Sequence, residues 1–376
     1  MIYLDNAATT YPKPQSVLRA VSQNMQGANP GRGGHSLAIR AAENVYKCRV
    51  KAAKLLGVEN AGNVIFTSGC TMSINMVIKG LLKKGDHVVV SDMEHNAVMR
   101  PLEAMSQYGI KYTVASVCEN DEETISNFRD ALNEHTRLVI CTQISNVWGI
   151  RLPVERITAM CHEYNIPVMV DAAQSAGIVN INMMNSKFDY LCVPAHKGLY
   201  GVMGSGLLVV RDPKNLQPII HGGTGSDSLL LTQPEYLPDK FESGTPNYIG
   251  ITALSAGIDF INSIGEEKIH RHEIELLSML YDNLSRNKKI KLYTPRPNEK
   301  SGGVLSFNVK DKTSEETAAY LNSRGIAVRA GLHCSPLAHK HFGTENIGAV
   351  RIAPSYFTTY SDIYTLSRVL SAGSAR

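Results

Sequence analysis

Seven short apolar runs alternate with amphipathic segments through the middle of this chain. The runs are NVIFTSG, HVVVSDM, KYTVASV, RLVICTQ, IPVMVDA, DYLCVPA and SGLLVVR. Among them lie SINMVIKGLLKK, NAVMRPLEAMSQYG, ISNFRDALNEH and VERITAMCHEY, whose apolar residues recur at helical spacing. Strands that alternate with helices are typical of a doubly wound α/β domain with a mainly parallel sheet. In such sheets, ligands bind at the carboxyl ends of the strands.

The pattern changes from about Ile249. Two long helical segments, ITALSAGIDFINSI and EEKIHRHEIELLSMLYDNL, lead into a strand in GGVLSFNV, a helix near SEETAAYLNSR, a strand in GIAVRAG and a final helix from Ser361. This order indicates a smaller α+β domain, and a length of 376 residues suits two domains. We predict a large domain over 15–250 and a small one over 251–376. Residues 1–14 fit either domain and are compatible with packing on the small one.

Bulk composition excludes several classes of protein. With 43% hydrophobic and 19% charged residues, the chain is neither disordered nor collagen-like. The net charge of +4 comes without a block of lysine or arginine, so we expect no nucleic-acid partner. No apolar run reaches the length of a membrane span, and the start lacks a signal peptide. The seven scattered cysteines indicate a reducing, cytoplasmic location.

Lys197 and Asp171 suggest a cofactor. Lys197 lies in the glycine-rich loop of PAHKGLYGVMGS, and Asp171 ends the apolar run IPVMVD. A lysine amine can condense with an aldehyde, and a carboxylate at a strand end can hold a protonated pyridine nitrogen. Those are the two groups that pyridoxal phosphate requires. Gln174 could donate to the ring hydroxyl. A solvated loop carboxylate or a helix N-cap is the alternative for Asp171.

Further residues could bind the phosphate and the ring. FTSGCTMSINMV places a turn between a strand and a helix, where backbone amides with the Ser68 and Thr71 hydroxyls can cradle a phosphate. A simple helix cap is the alternative. His95 could stack on a flat ring and shuttle protons, or be structural. His196 could donate to the phosphate or be a mere loop residue. The glycines after Lys197 lead into a strand, which rules out a dinucleotide fingerprint.

Cys334 and Arg351 lie in the predicted small domain. Cys334, in VRAGLHCSPLAHKHFG, would be a strong nucleophile as a thiolate. It could instead be an inert buried thiol, or bind zinc with His339 and His341. That spacing matches no standard zinc site and lacks a fourth ligand, so we predict no metal. Arg351 could grip a substrate carboxylate with two hydrogen bonds, or form a surface ion pair.

Taken together, these segments resemble the class V aminotransferase group of fold-type I pyridoxal phosphate enzymes. Within that group they are most similar to the cysteine desulfurase and selenocysteine lyase family. The segments that carry the resemblance, in order, are NPGRGGHSLA, FTSGCTMSINMV, MEHNAV, SNVWG, VDAAQSAG, AHKGLYG, FESGTPN, RAGLHC and VRIAPSYF. With YLDNAATT at the start, the match covers nearly the whole chain. It implies a large doubly wound domain and a smaller C-terminal α+β domain.

The resemblance also implies a role for each matching position. Cofactor contacts are implied for Lys197, Asp171, Gln174, Cys70, Thr71, His95, His196, Asn146 and Thr245. Substrate contacts are implied for Arg351, Asn146 and His35, and catalytic roles for Lys197, Cys334 and His95. Thr245 matches a residue that reaches the phosphate of the neighbouring subunit, which implies a homodimer with shared sites. Cys334 matches a cysteine that holds sulfur as a persulfide, in a short loop typical of enzymes that hand sulfur to an acceptor protein.

The implied reaction converts L-cysteine to L-alanine. Selenocysteine lyase and class V aminotransferase remain alternatives, whereas a non-catalytic module would not need to retain Lys197 and Asp171. Three departures from the family are visible. Pro194 replaces a serine that supplies a phosphate hydroxyl, Cys70 and Met72 replace a common Thr and Glu, and the cysteine loop contains HCSP rather than HCA.

Overall fold

A computed structural model describes residues 1–31 and 33–373 of the chain. The strands are β1 (Ile2–Tyr3), β2 (Val64–Thr67), β3 (His87–Ser91), β4 (Lys111–Ala115), β5 (Thr136–Thr142), β6 (Val168–Asp171), β7 (Tyr190–Pro194), β8 (Gly206–Val210), β9 (Ile290–Leu292), β10 (Leu305–Val309), β11 (Ile326–Ala327), β12 (Arg329–Gly331) and β13 (Ala349–Ile352). The helices are α1 (Gln15–Asn24), α2 (Ser36–Leu55), α3 (Cys70–Leu81), α4 (Asn96–Ser106), α5 (Asp121–Asp130), α6 (Val154–Glu163), α7 (Met183–Ser186), α8 (Tyr248–Ile264), α9 (Glu266–Leu284), α10 (Ser314–Ser323), α11 (Pro336–His341) and α12 (Tyr360–Gly373). Arg32 of the segment NPGRGGHSLA and the last three residues of the tail SAGSAR lie outside the described residues.

The seven predicted strands form one large sheet in the order β2–β8–β7–β6–β5–β3–β4. Strands β7, β6, β5, β3 and β4 are parallel, and β8 runs antiparallel to both of its neighbours. All residues of β3, β6, β7 and β8 are buried, as expected where helices cover both faces of a sheet. The predicted mainly parallel doubly wound sheet is therefore confirmed.

Local sequence signals explain where several helices begin. Asn120 accepts a hydrogen bond from the backbone of Glu122, and three acidic residues follow in the first turn of α5. Thr313 and Glu316 form a reciprocal capping box at the start of α10. The long helical stretch after Ile249 is divided into α8 and α9 at Gly265, whose φ of 94° suits glycine.

A second, smaller core lies in the C-terminal part of the chain. Its sheet is antiparallel, in the order β12–β13–β10–β9. The run GIAVRAG, predicted as a single strand, is divided: β11 pairs with β1, and β12 pairs with β13. The chain passes from the two-stranded sheet to the four-stranded sheet at Val328, so one apolar run contributes a strand to each. Arg351 lies within β13.

The N-terminal segment contacts the C-terminal part of the chain. Ile2 pairs with Ile326, and Leu4 is buried in the same apolar cluster as β10 and β13. Helix α8 spans the predicted domain boundary at 250 and packs against α1 and α2. The domain bounds stay a prediction. None of the helices within the described residues is both long and apolar enough to cross a membrane.

Candidate active site

A cavity of about 430 Å³ lies at the carboxyl edge of the large sheet, where residues of the small sheet also reach its wall. The turns after β2, β3, β5 and β6 and the loop after β7 converge there because the carboxyl ends of parallel strands share one edge. The predicted site residues that line it are Cys70, Thr71, His95, Asn146, Asp171, Gln174, His196, Lys197, Cys334 and Arg351. Ten predicted positions, separated by up to 281 residues of chain (351 − 70), therefore meet in one place.

Asp171 is the last residue of β6 and only 2% exposed. Its Oδ1 accepts hydrogen bonds from the Ala173 amide at 2.8 Å and from the Cys70 thiol at 3.3 Å. The solvated-carboxylate alternative is therefore wrong. A carboxylate so far from water is stable when a cationic or hydrogen-bonding partner faces it, which suits a protonated ring nitrogen. Gln174 donates to the carbonyl of Ala7 at 3.1 Å, so the N-terminal segment supports this wall of the cavity.

Lys197 begins the tight turn between β7 and β8. Its carbonyl accepts from the amide of Tyr200 at 2.8 Å and from the Thr10 hydroxyl at 3.2 Å. Burial lowers the pKa of the Lys197 amine, while nearby Asp171 acts in the opposite direction. A lowered pKa leaves a larger fraction of the amine neutral, and the neutral amine is the form that attacks a carbonyl.

The N-terminus of α3, which has no side-chain cap, lies at the cavity. Its N-cap is Gly69, which has a φ of 149° and provides no side-chain cap. A Cβ on Gly69 would enter open space, whereas one on Gly206 would lie 2.6 Å from the Cα of Gly69. Glycine at position 206 thus lets β8 approach the turn, and the φ of Gly69 lies in the region that favours glycine. Without a side-chain cap, the backbone amides of Cys70 and Thr71 stay open to a ligand. Such an amide cluster binds anions. The helix-cap alternative for Thr71 is wrong.

Two of the histidines that line the cavity, His95 and His196, are neutral near pH 7. His95 accepts from the amide of Ala97 at 3.0 Å through Nδ1, which places its proton on Nε2. Burial lowers the pKa of His95 to about 4, so the ring suits stacking better than the proton shuttling that we expected. Burial also lowers the pKa of His196 to about 4, and its buried Nδ1 has no hydrogen-bond partner among the described residues. An unpartnered buried nitrogen on a cavity wall suits a ligand atom.

Cys334 is the only exposed cysteine among the seven, all of which are described. It and His333 have φ values of 56° and 51°, a left-handed conformation that costs free energy for residues other than glycine. Three hydrogen bonds hold the loop: Asn146 donates to the His333 carbonyl at 2.9 Å, Ser335 donates to Asn146 at 2.7 Å, and the Asn96 amide donates to the Cys334 carbonyl at 2.7 Å. The buried-thiol alternative for Cys334 is wrong.

The two histidines that follow Cys334, His339 and His341, contact other side chains rather than Cys334. His339 lies between His333 at 3.3 Å and the Thr344 hydroxyl at 2.8 Å. His341 contacts Asp92 through Nδ1 at 2.7 Å. No group of three or more histidine, cysteine, aspartate or glutamate side chains within residues 1–31 and 33–373 is arranged to hold a metal ion. Nothing in the geometry supports the zinc alternative.

Arg351 is 1% exposed, which excludes the surface ion pair. It donates to Asp5 at 2.8 Å and to the carbonyl of Asn146 at 2.9 Å, while its buried Nε has no partner in the described chain. Arg329 lies directly opposite Arg351 in the β12–β13 ladder and also lines the cavity. Two guanidinium groups with one nearby carboxylate leave an excess positive charge that suits an anionic substrate. Sequence reasoning missed Arg329, although it belongs to the quoted segment RAGLHC.

His35 and Thr245 lie elsewhere. They line a separate cleft of about 1300 Å³, beside the ion pair of Arg49 and Glu242. His35 caps α2 by accepting from the Ala38 amide at 3.3 Å. Within one chain, neither residue lines the cavity that contains Lys197.

The fold and the position of the cavity define an α/β transferase of fold type I, in which a mainly parallel sheet carries the site at its carboxyl edge. The chain belongs to the class-V aminotransferase family, whose model matches residues 2–366. It is 34% identical to a probable cysteine desulfurase of Methanothermobacter thermautotrophicus, over 98% of this chain and 94% of the relative. It is 30% identical to a cysteine desulfurase of Pectobacterium atrosepticum, over 96% and 90%.

Solved structures show the same likeness. The apo cysteine desulfurase of Thermococcus onnurineus superimposes with a TM-score of 0.91 at 30% identity, covering 100% of this chain and 94% of that one. The cysteine desulfurase CsdA of Escherichia coli, in an S-sulfonic acid form, gives a TM-score of 0.87 at 27% identity, with 98% and 94% covered. The resemblance stated from the sequence is confirmed, as is the fold class.

Proposed function

We propose that this chain is a pyridoxal phosphate-dependent cysteine desulfurase that converts L-cysteine to L-alanine and keeps the sulfur on Cys334 as a persulfide. One observation carries the proposal: the only exposed cysteine lies at the wall of the cavity that also contains Lys197 and Asp171. The names of the relatives support it, since those that match nearly the full chain are described as cysteine desulfurases.

The cavity fits the cofactor. Asp171 suits the ring nitrogen, the flat neutral ring of His95 suits stacking, and the unpartnered Nδ1 of His196 with the bare N-terminus of α3 suits the phosphate. When bound, pyridoxal phosphate supplies an aldehyde and an electron-withdrawing ring. Pro194 has no hydroxyl, so the phosphate depends more heavily on the amides after Gly69 and on Thr71.

Each polar group then has one task. Lys197, with its lowered pKa, holds or releases a proton at Nζ beside the substrate's α-carbon. The Asp171 carboxylate would hold the ring nitrogen through a hydrogen bond. Arg351 and Arg329 orient the substrate carboxylate through charge-assisted hydrogen bonds.

Cys334 is the sulfur acceptor in this proposal. As a thiolate, its Sγ attacks the sulfur of the substrate, and the new S–S bond forms as the carbon–sulfur bond of the substrate breaks. The electron pair of the broken bond stays with the substrate, whose β-carbon takes up a proton and becomes the methyl group of alanine. The three hydrogen bonds to the loop aim the side chain without covering it. A buried thiol could not pass the sulfur on, so exposure of Cys334 is part of the function.

We further propose a homodimer in which the cleft of His35 and Thr245 faces the cavity of the partner. Thr71 and Ser68 are exposed, so the phosphate end of the cavity remains open within a single chain. The cytoplasmic location, the absence of nucleic-acid and membrane partners, and the acceptor protein remain predictions from the sequence.

Mass spectrometry of the holoenzyme after incubation with L-cysteine tests the proposal. We expect one added sulfur on Cys334, and we expect Cys334→Ser to stop sulfur release while the cofactor absorbance remains. Cys118→Ser, at a half-exposed cysteine outside the cavity, is the matched control and should behave as the wild type. Sulfur release by Cys334→Ser at the wild-type rate would overturn the role of Cys334. Turnover that requires a keto acid and yields no sulfide would instead indicate an aminotransferase.

A further inference from the structure

A second groove lies next to the Cys334 loop. It encloses about 800 Å³ between the edge strand β9, the turn after β10, the start of α10 and the segment 345–348. Its wall includes Gly331 and Leu332, the latter only two residues before Cys334. Two residues of extended chain span at most about 7 Å, so a molecule in the groove lies close to the exposed thiol.

Five lysines line this groove: Lys288, Lys289, Lys291, Lys310 and Lys312. Lys288, Lys291 and Lys310 are exposed, and Lys291 lies over the ring of Tyr293 at 4.9 Å. The sequence showed no single basic block because these lysines come from two segments, one leading into β9 and one following β10, that the small sheet brings together. Their summed field attracts an anionic partner before contact is made.

Acidic side chains also line the groove, one of them between Lys310 and Lys312 and three on the side of α10 and the segment 345–348. They are Asp311, Glu315, Glu316 and Glu345. Glu316 accepts from the Thr313 amide at 2.8 Å, and Glu315 accepts from the Ser314 hydroxyl at 2.8 Å, both in the first turn of α10. The positive end of that helix partly offsets their charge. The β9 side therefore remains the basic side.

Apolar side chains complete the surface. Leu332 is 41% exposed and Ile347 is 52% exposed, and both line the groove. Exposed apolar groups with a charged rim are the usual composition of a protein–protein interface. A phosphate backbone would be served by the lysines alone and would gain nothing from Leu332 and Ile347.

We propose that this groove is the docking site for an acidic segment of the protein that accepts sulfur from Cys334. The proposal rests on the proposed function. Lysines on the β9 side pair with carboxylates of the acceptor, and its apolar side chains cover Leu332 and Ile347. Docking there brings the thiol of the acceptor beside the cysteine loop.

The transfer step is balanced without a further reagent. The acceptor thiol loses its proton to solvent, and its thiolate attacks the outer sulfur of the Cys334 persulfide. A sulfur–sulfur bond forms on the acceptor as the bond to the Cys334 Sγ breaks, and Cys334 leaves as a thiolate. No net oxidation occurs, because one persulfide replaces another.

The probes are short synthetic peptides that each carry one cysteine, surrounded by glutamates, by glutamines or by lysines. The holoenzyme is first loaded with sulfur from L-cysteine, and the rate of sulfur transfer to each peptide is then measured. We expect the glutamate peptide to react about tenfold faster than the glutamine peptide at low salt, with most of the difference lost at high salt. The combined variant Lys288→Glu, Lys291→Glu and Lys310→Glu should lose the preference. The control variant, Lys83→Glu with Lys84→Glu, lies just before β3 of the large sheet, outside the groove, and should keep it.

Two further readouts separate this proposal from the proposed function. Sulfur loading of Cys334 and transfer to dithiothreitol should be unchanged in the triple variant, and its thermal unfolding should match that of the control variant. Failure to load Cys334 in the wild type would contradict the proposed function itself. Normal loading with equal rates for the glutamate and glutamine peptides would overturn the docking site alone. Tight binding of a single-stranded RNA that depends on the three lysines, without a peptide preference, would overturn it in favour of a nucleic-acid site.

Discussion

The candidate site has two ends that are built in opposite ways: the proposed cofactor end, around Asp171 and Lys197, and the cysteine end, around Cys334. Asp171 lies at the end of the fully buried strand β6, whose position is fixed by pairing with β5 on one side and β7 on the other. Cys334 is exposed on a loop with left-handed backbone and is held by three hydrogen bonds. The Asp171 end is therefore shielded from water, which suits proton transfer, and the Cys334 end can contact another molecule.

The largest effect should come from the buried end. Lys197→Ala removes the amine that we place beside the substrate, so we expect alanine formation to fall by about 1000-fold or more. Steady-state alanine production measures this. The matched control is Lys83→Ala at the opposite edge of the sheet, which should leave turnover unchanged. A loss of less than tenfold in Lys197→Ala would show that another group carries the proton.

Asn146 links the two ends, so its removal should affect the cysteine end more than the cofactor end. Asn146→Ala leaves the buried Ser335 hydroxyl and the His333 carbonyl without this partner, which should cost about 1–3 kcal/mol of stability. We expect sulfur loading of Cys334 to slow about tenfold while the cofactor absorbance is retained.

Ser335→Ala is the control for Asn146→Ala because it removes only one of the two hydrogen bonds. Its loading rate should lie between those of the wild type and Asn146→Ala. Equal loading rates in all three proteins would show that the loop is held in position without Asn146.

A smaller effect is expected at Cys70, which donates to Asp171 at 3.3 Å. Cys70→Ala removes one of the two hydrogen bonds to the Oδ1 of Asp171, so we expect a two- to tenfold loss of turnover, about 0.5–1.5 kcal/mol. Cys70→Thr supplies a hydroxyl donor and should recover most of the loss. The pH titration of the cofactor absorbance should shift in the alanine variant and return in the threonine variant. No shift in either variant would show that this thiol does not influence Asp171.

The smallest effect on activity should come from Glu94, behind the cavity. It is fully buried, accepts from the Ser91 hydroxyl and the Thr142 amide, and has one unpartnered oxygen in the described chain. Burial raises the pKa of Glu94 to about 8, so it is largely protonated at pH 7. Glu94→Gln is neutral and similar in shape, and we expect it to match wild-type turnover at that pH.

The pH dependence of stability tests this directly. Because the pKa is higher in the folded state, the stabilisation from the bound proton is complete below the unfolded pKa and is lost as the pH rises towards 8. The stability of the wild type relative to Glu94→Gln should therefore fall between pH 5 and pH 8, by at most about 1.4 kcal/mol per pH unit. Parallel urea unfolding curves measure the difference. A difference that does not change with pH would mean that Glu94 is ionised in the folded protein.

Much of this molecule followed from the sequence alone. Apolar runs of four to seven residues, separated by helical patterns, identified all seven strands of the large sheet. In the fully buried strands, burial on both faces demands continuous apolar character, whereas the edge strand β4 is largely exposed. The positions of Asp171 and Lys197 followed from the same reasoning, since residues at the ends of parallel strands meet at one edge. Ordered motifs indicated the family and the candidate cysteine.

Only the tertiary structure decided the rest. GIAVRAG became two strands because its halves pair with β1 and β13, which are distant in sequence. The neutral state of His95, the pairing of Arg329 with Arg351, and the separation of His35 and Thr245 from Lys197 all depend on burial and long-range contacts. Local pattern determines which segments form strands and which residues end them. Charge state, exposure and grouping arise only when distant segments pack together.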